Sequence, residues 1–263
     1  MFRIRFVALQ LLLVFAVAQA AGLAVGTQFL AKDIQVVEDP SDVGNAFYFL
    51  GGVLVSTAVM LAVLYVYRGV WFFKAVEALL MFVAAHIFLG LFLEAVASLA
   101  VALGLVALRF GWEPFRSYLL LFSTVVVGSL LGASLDFWPV LLFVVLLSGY
   151  DFAAVFLTKH MVFLAKRLDE RKTSFSVGFK QKKQEVQLGT GDFMVPIVFG
   201  VSVLNAFGVV LAFFSAIGAV LGLGVLLYYM ESRKGYFPGL PPIVGGQLVV
   251  LGAGFLAKTV LGG

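Results

Sequence analysis

The sequence contains no cysteine and few charged residues: only 12% of its 263 residues are Asp, Glu, Lys or Arg. The absence of cysteine excludes disulfides, thiolate catalysis, iron–sulfur clusters and Cys-ligated zinc. Soluble domains carry about 25% charged residues, so the low charge content excludes an ordinary water-soluble globule. Because 62% of the residues are hydrophobic, a disordered chain is excluded as well.

What the sequence has instead is long apolar stretches, with a mean hydropathy of +1.10. One helical membrane span needs roughly 20 residues. The stretches at residues 70–108 and 192–230 are each nearly twice that length, so each is divided into two spans, with turns near Gly90–Ala95 and Asn205–Gly208. The sequence therefore predicts an all-α polytopic membrane protein with nine transmembrane helices. The nine spans cover about residues 6–30, 46–67, two in 70–108, 117–134, 138–164, two in 192–230, and 242–260.

The basic residues predict the orientation of these spans. With a cytoplasmic N-terminus and an outside C-terminus, 16 of the 18 Lys and Arg residues lie on the inner side, as the positive-inside rule requires. The net charge of +4 is therefore interpreted as a membrane signal, and no nucleic-acid partner is expected. The chain is divided into residues 1–165 with spans one to six, a basic cytoplasmic loop at 166–188, and residues 189–263 with spans seven to nine.

The first span contains Ala18-Gln19-Ala20, which resembles a signal-peptidase site. The apolar run continues ten residues beyond it, so a retained helix is favoured over a cleaved signal peptide.

Ionisable residues at membrane depth are costly and are functional candidates by default. Glu77 is interpreted as a partner of Lys74, three residues away, and Asp136 as the N-cap of span six. His86 is interpreted as a buried, hydrogen-bonded histidine, and Glu94 is placed at the turn between spans three and four.

Asp151 and Asp192 differ from these residues because no Lys or Arg within a helical turn neutralises them. A structural hydrogen bond is the alternative for Asp151, and an N-cap is the alternative for Asp192. Gly189 and Gly191, beside Asp192, permit close backbone approach and local unwinding. Given the orientation of the spans, both carboxylates fall in the cytoplasmic half of the membrane.

Pro238-Gly239-Leu240-Pro241 opens span nine on the same side. With Pro242, this segment has three prolines in five residues and is not expected to form an ordinary helix. Unpaired backbone amides and carbonyls are therefore expected beside the two carboxylates.

These motifs resemble the presenilin and signal peptide peptidase family of intramembrane aspartyl proteases. That family has Tyr-Asp in span six, Gly-x-Gly-Asp in span seven and Pro-Ala-Leu at the start of span nine. The corresponding residues are Tyr150-Asp151, Gly189-Thr190-Gly191-Asp192 and Pro238-Gly239-Leu240. The resemblance covers the whole chain. It departs from the family at Gly239, where Ala is usual and should be tolerated, and in a loop too short for autocleavage, which suggests a compact microbial homologue.

The resemblance implies an aspartic endopeptidase whose catalytic residues are Asp151 and Asp192. Tyr150, Gly189, Gly191, Pro238, Gly239, Leu240 and Pro241 would support the site, with no metal and no cofactor. Substrates would be transmembrane helices or signal peptides, in contact with membrane lipid, and a homo-oligomer is an open possibility. A substrate helix must unwind before cleavage, and an exposed edge near Pro238–Pro241 is the expected place for β-augmentation.

Two other classes of function remain. A proton- or cation-coupled transporter also uses paired carboxylates and broken helices, but the two halves of the sequence show no convincing inverted repeat. A non-catalytic membrane scaffold leaves the two aspartates unexplained.

Overall fold

The computed structural model describes residues 2–67, 69–111, 113–170, 175–181, 184–231 and 235–261. These residues form ten α-helices, one short π-helix and one β-hairpin. The helices are α1 (Phe2–Ala31), α2 (Gly44–Val66), α3 (Trp71–Leu89), α4 (Ala95–Gly111), α5 (Glu113–Ala133), α6 (Phe137–Phe152), α7 (His160–Glu170), α8 (Thr190–Phe207), α9 (Val209–Glu231) and α10 (Leu240–Leu261). The π-helix spans Ala153–Leu157, and strands β1 (Ser176–Gln181) and β2 (Gln184–Gly189) pair antiparallel.

Within the described ranges, eight helices are long and apolar enough to cross a membrane, and α4 is a shorter apolar helix of 17 residues. The chain is therefore an integral, multi-pass membrane protein, while the ninth span and the orientation of the termini stay predictions. The two expected turns are confirmed. Residues 90–94 separate α3 from α4, and Gly208, with φ +86°, separates α8 from α9.

Two sequence predictions are wrong in the segment that joins spans six and seven. Span six was expected to run to Leu164, but it ends at Leu157, and His160–Glu170 form the separate amphipathic helix α7. The basic segment was expected to be a loop, but it contains the β1–β2 hairpin. In β2, Val186 and Leu188 alternate with polar residues, which is the pattern typical of a strand. The alternation is short and lies in a mostly polar segment, so it did not predict a strand.

Helix α8 lies at the centre of the bundle and contacts α1, α5, α6, α9 and α10. Its residues from Val195 to Leu204 are all buried, as expected for a helix that is apolar on every face. Small residues let its neighbours approach closely. A Cβ at Gly26 of α1 would lie 2.6 Å from Val201, and one at Gly132 of α5 would lie 2.5 Å from the carbonyl oxygen of Val198.

Helices α9 and α10 pack through glycine in the same way. A Cβ at Gly222 of α9 would lie 2.2 Å from the carbonyl oxygen of Pro242, and one at Gly246 would lie 2.3 Å from that of Gly218. Pro242 is in the first turn of α10, so this contact fixes the depth at which α10 begins.

Helix α1 is part of the core rather than a peripheral segment. Phe15 is fully buried and its ring packs 5.3 Å from that of Phe193 in α8. The buried Gln19 donates a hydrogen bond to the carbonyl oxygen of Phe193 at 3.3 Å. These contacts make α1 part of the packed bundle.

Glu77 does not pair with Lys74, contrary to the sequence prediction. Its carboxylate is fully buried and accepts hydrogen bonds from Arg109 at 3.0 Å and Arg116 at 2.6 Å. The Lys74 ammonium lies 5.8 Å from the ring centre of Trp71 instead. The cluster joins α3, α4 and α5, a pairing across helices that sequence spacing alone does not reveal. His86, by contrast, is hydrogen-bonded as predicted, with Nδ1 3.0 Å from Ser98 Oγ, although it is only partly buried.

Replacing Glu77 with Ala should destabilise the protein by about 3–5 kcal/mol, because removing one partner leaves a buried charge uncompensated. Arg109 is 2% exposed and depends on this carboxylate for neutralisation. The measurement is thermal unfolding in detergent. Glu94→Ala is the matched control, since Glu94 is exposed and should leave Tm unchanged. Equal Tm values for the two variants would contradict the structural role of the cluster.

The nine-span orientation predicts that single cysteines at Ser174 and Gly263 are labelled from opposite faces of intact cells. Both positions lie outside the described residues and are chosen from the sequence alone. A membrane-impermeant maleimide should reach Gly263→Cys from outside and Ser174→Cys only after the membrane is opened. Labelling of both positions from one face would contradict the nine-span count.

Candidate active site

Asp151 lies one residue before the end of α6 and is partly buried. Its Oδ2 accepts a hydrogen bond from the backbone N–H of Leu240 at 3.1 Å. Leu240 is the first residue of α10, where backbone N–H groups have no partner within the helix. The carboxylate of Asp151 thus satisfies a free donor and lies at the positive end of the α10 dipole.

Asp192 is the third residue of α8 and is also partly buried. Its Oδ2 accepts a hydrogen bond from the backbone N–H of Gly189, the N-cap residue, at 3.2 Å. The carboxylate therefore takes part in capping α8, as the alternative interpretation expected, although from the third helical position. The backbone N–H of Thr190 is bound to the carbonyl oxygen of Phe175 at 3.0 Å, which ties the start of α8 to the residue preceding β1.

Gly239 and Leu240 bring the two aspartates together. While Leu240 binds Asp151, Gly239 packs directly against the side chain of Asp192, whose Cγ lies 2.6 Å from the position a Cβ would take. The two carboxylates are also close enough to interact electrostatically. Two adjacent residues at the start of α10 thus contact both acidic groups.

The prolines beside this pair do not break the helix, contrary to the sequence prediction. Pro241 and Pro242 fall in the first turn of α10, where the missing N–H removes no helical hydrogen bond. Residues 238–241 form no strand, so the expected edge for β-augmentation does not lie there. Pro238 is buried just before the helix.

A cavity of about 560 Å³ opens beside Asp192. Its walls come from the apolar face of α7, from β2 and from the segment before α10, and they are mostly hydrophobic, as in ligand pockets generally. Gly189, Gly191 and Gly239, which the sequence assigned to the site, are among the lining residues. The lining that the sequence did not predict includes Met161, Val162, Leu164, Val186, Leu188, Tyr236 and Phe237.

Tyr150, another predicted site residue, directs its hydroxyl to a histidine rather than to either carboxylate. Its hydroxyl oxygen lies 2.9 Å from Nε2 of His160, the first residue of α7. His160 was not singled out by the sequence, because the predicted span six ran through it.

Comparisons with known proteins find a matching family model and similar solved structures. A family model described as signal-peptide peptidase, presenilin aspartyl protease matches residues 12–261. A solved structure of a presenilin family intramembrane aspartate protease, in space group C222, has a TM-score of 0.71 and 26% sequence identity, covering 95% of this chain and 98% of its own. A second structure with the same description, in space group P2, has the same TM-score and identity and covers 94% and 97%. A search of the curated proteins gives no match.

Gly239→Ala should lower the activity of the site by about ten- to hundredfold, since catalytic groups displaced by about 1 Å lose that much. The new methyl group meets the Asp192 carboxyl at 2.6 Å. Because that carboxyl is the far end of a rotatable side chain, it can move aside and the fold should persist with little change in Tm. This prediction differs from the sequence-based expectation that Ala is tolerated at position 239.

The matched control is Gly245→Ala, also in α10, where a Cβ meets no atom within 4 Å. It should keep full activity in a peptide-cleavage assay. Full activity of Gly239→Ala as well would mean that Asp192 does not occupy this place in the working protein.

Proposed function

Because the chain belongs to the signal-peptide peptidase and presenilin family of aspartyl proteases, we propose that Asp151 and Asp192 form the dyad that hydrolyses its substrates. The protein is an intramembrane aspartic endopeptidase. The observation that carries the proposal is the contact of one residue pair, Gly239 and Leu240, with both carboxylates.

The dyad supplies both a base and an acid. Two close carboxylates do not both ionise cheaply, so one holds a proton near neutral pH. The ionised carboxylate takes a proton from water, whose oxygen attacks the scissile carbonyl carbon. The protonated carboxyl donates a hydrogen bond to the carbonyl oxygen and then gives its proton to the departing amine as the C–N bond breaks. The products are a new carboxyl group and a new amine.

The cavity provides a place for an extended substrate segment. A transmembrane helix hides its carbonyl groups in internal hydrogen bonds, so it must unwind before water can attack. Strands β1 and β2 form a two-stranded sheet, and residues 186–189 of β2 line the cavity beside Asp192. We infer that the unwound segment adds to the hairpin as a strand, with its side chains against the apolar wall. The substrate class is therefore a membrane-spanning helix or a signal peptide.

Asp151→Asn and Asp192→Asn should each lower cleavage of a single-span substrate by about a thousandfold or more, and the double variant should lose little more. Members of one catalytic unit are non-additive in this way. Both single variants should keep their Tm, because Asn retains an oxygen that accepts the bond from Leu240 or Gly189. The assay uses the purified protein in liposomes.

Asp136→Asn is the control for removing a carboxylate from α6. Asp136 occupies the N-cap position at the opposite end of this helix and is exposed, without a side-chain cap bond. It should cleave normally. If Asp192→Asn lowers Tm but cleaves at the wild-type rate, Asp192 serves only as a helix cap and the dyad is refuted.

A further inference from the structure

His160 bridges the end of α6 and the start of α7. Its Nε2 lies 2.9 Å from the Tyr150 hydroxyl oxygen, with the two ring centres 5.7 Å apart. Its Nδ1 contacts Thr158 Oγ1 on the other side. Both nitrogens of the imidazole are therefore committed, Nε2 to Tyr150 of α6 and Nδ1 to Thr158, the C-cap residue of the π-helix.

The direction of these hydrogen bonds depends on which ring nitrogen carries the proton. Thr158 Oγ1 also lies 3.4 Å from the carbonyl oxygen of Ala153, and a hydroxyl that donates there accepts from His160 Nδ1. A neutral imidazole with its proton on Nδ1 has a free lone pair on Nε2. Nε2 then accepts from the Tyr150 hydroxyl, which is the donor.

The junction that His160 spans has an unusual backbone. The π-helix Ala153–Leu157 follows Asp151 almost directly, and π-helical turns are rare and often lie at functional sites. Lys159 then has φ +56°, which is uncommon for a residue with a Cβ. A helix end of this kind is not fixed by regular hydrogen bonding alone, so a side-chain bridge across it sets its position.

We propose that His160 is a positioning residue that holds Asp151 in place through Tyr150. Tyr150 immediately precedes Asp151, so fixing the tyrosine ring fixes the last turn of α6. Met161 and Val162, which follow His160, line the cavity beside Asp192. The bridge therefore also sets the cavity wall relative to Asp151. The inference rests on the proposed function of the two aspartates.

Three substitutions at His160 test the bridge. The amide of His160→Gln reaches the place of Nε2, so it can accept from Tyr150 and should keep kcat within about threefold of wild type. His160→Asn reaches only the place of Nδ1, and His160→Ala reaches neither. Both should lose about tenfold or more in kcat with a KM changed by less than about twofold, because Asp151 is misplaced while substrate binding persists.

Tyr150→Phe tests whether His160 acts through the tyrosine. It should lose as much kcat as His160→Ala, and the double variant should lose no more than either one. Leu157→Ala is the matched control, since Leu157 lies in the π-helix with its side chain 73% exposed and should retain the wild-type kcat. Losses that multiply in the double variant would contradict the proposed path through Tyr150.

A spectroscopic readout separates positioning from general folding. The chain has two histidines, so His160→Gln identifies the signals of His160 in a ¹⁵N NMR spectrum of the imidazoles. The wild type should show the Nδ1–H tautomer, with an Nε2 resonance that shifts in Tyr150→Phe. An Nε2 resonance that Tyr150→Phe does not move would overturn the bridge, even where His160→Ala fails to fold.

The activity outcomes keep this inference distinct from the proposed function. If His160→Ala and His160→Asn cleave at the wild-type rate while Asp151→Asn is inactive, the positioning role is wrong and the dyad stands. If Asp151→Asn cleaves as fast as wild type, the proposed function is wrong, and the proposed role of His160 is then wrong as well.

Discussion

Two carboxylates inside an apolar bundle must each find donors, and the arrangement of the helices around α8 depends on meeting this requirement. A charged side chain at membrane depth costs at least about 2.5 kcal/mol. Asp192 accepts the N–H of Gly189 at the start of α8, and Asp151 accepts the N–H of Leu240 at the start of α10. Both donors are N-terminal backbone groups that have no partner within their own helix. The chain thus uses helix ends, rather than Lys or Arg side chains, to hold these two aspartates.

This solution works only if α8 and α10 begin at matching depths, and glycine contacts set those depths. The close approach of Gly222 to the carbonyl oxygen of Pro242 leaves α10 little freedom to slide along α9. Helix α8 is held in turn by Gly26 of α1 and Gly132 of α5. In lipid, where helices gain no hydrophobic energy by associating, such van der Waals contacts carry the packing. A bulky residue at any of these glycines acts on the site from a distance by displacing a helix start.

The sequence predicted the parts of this arrangement that depend on local composition. Apolar length located most of the spans, and the missing partners of Asp151 and Asp192 singled them out. Contacts between distant segments could not be predicted from the sequence. Glu77 pairs with Arg109, 32 residues away, rather than with the nearby Lys74. The hairpin and α7 were also not predicted, because the basic and polar composition of these segments is typical of a loop. The close contact beside Gly239 could not be predicted from the sequence either, because it is made by Asp192 on another helix.

The central claim is that the carboxylates serve hydrolysis rather than ion transport, for which paired acidic groups and interrupted helices are equally common. The most direct test reconstitutes the purified protein alone in liposomes with a single-span substrate and records cleavage and proton flux in the same vesicles. The account predicts two peptide products, identified by mass spectrometry, and no flux above that of empty vesicles. Proton flux without cleavage would contradict it.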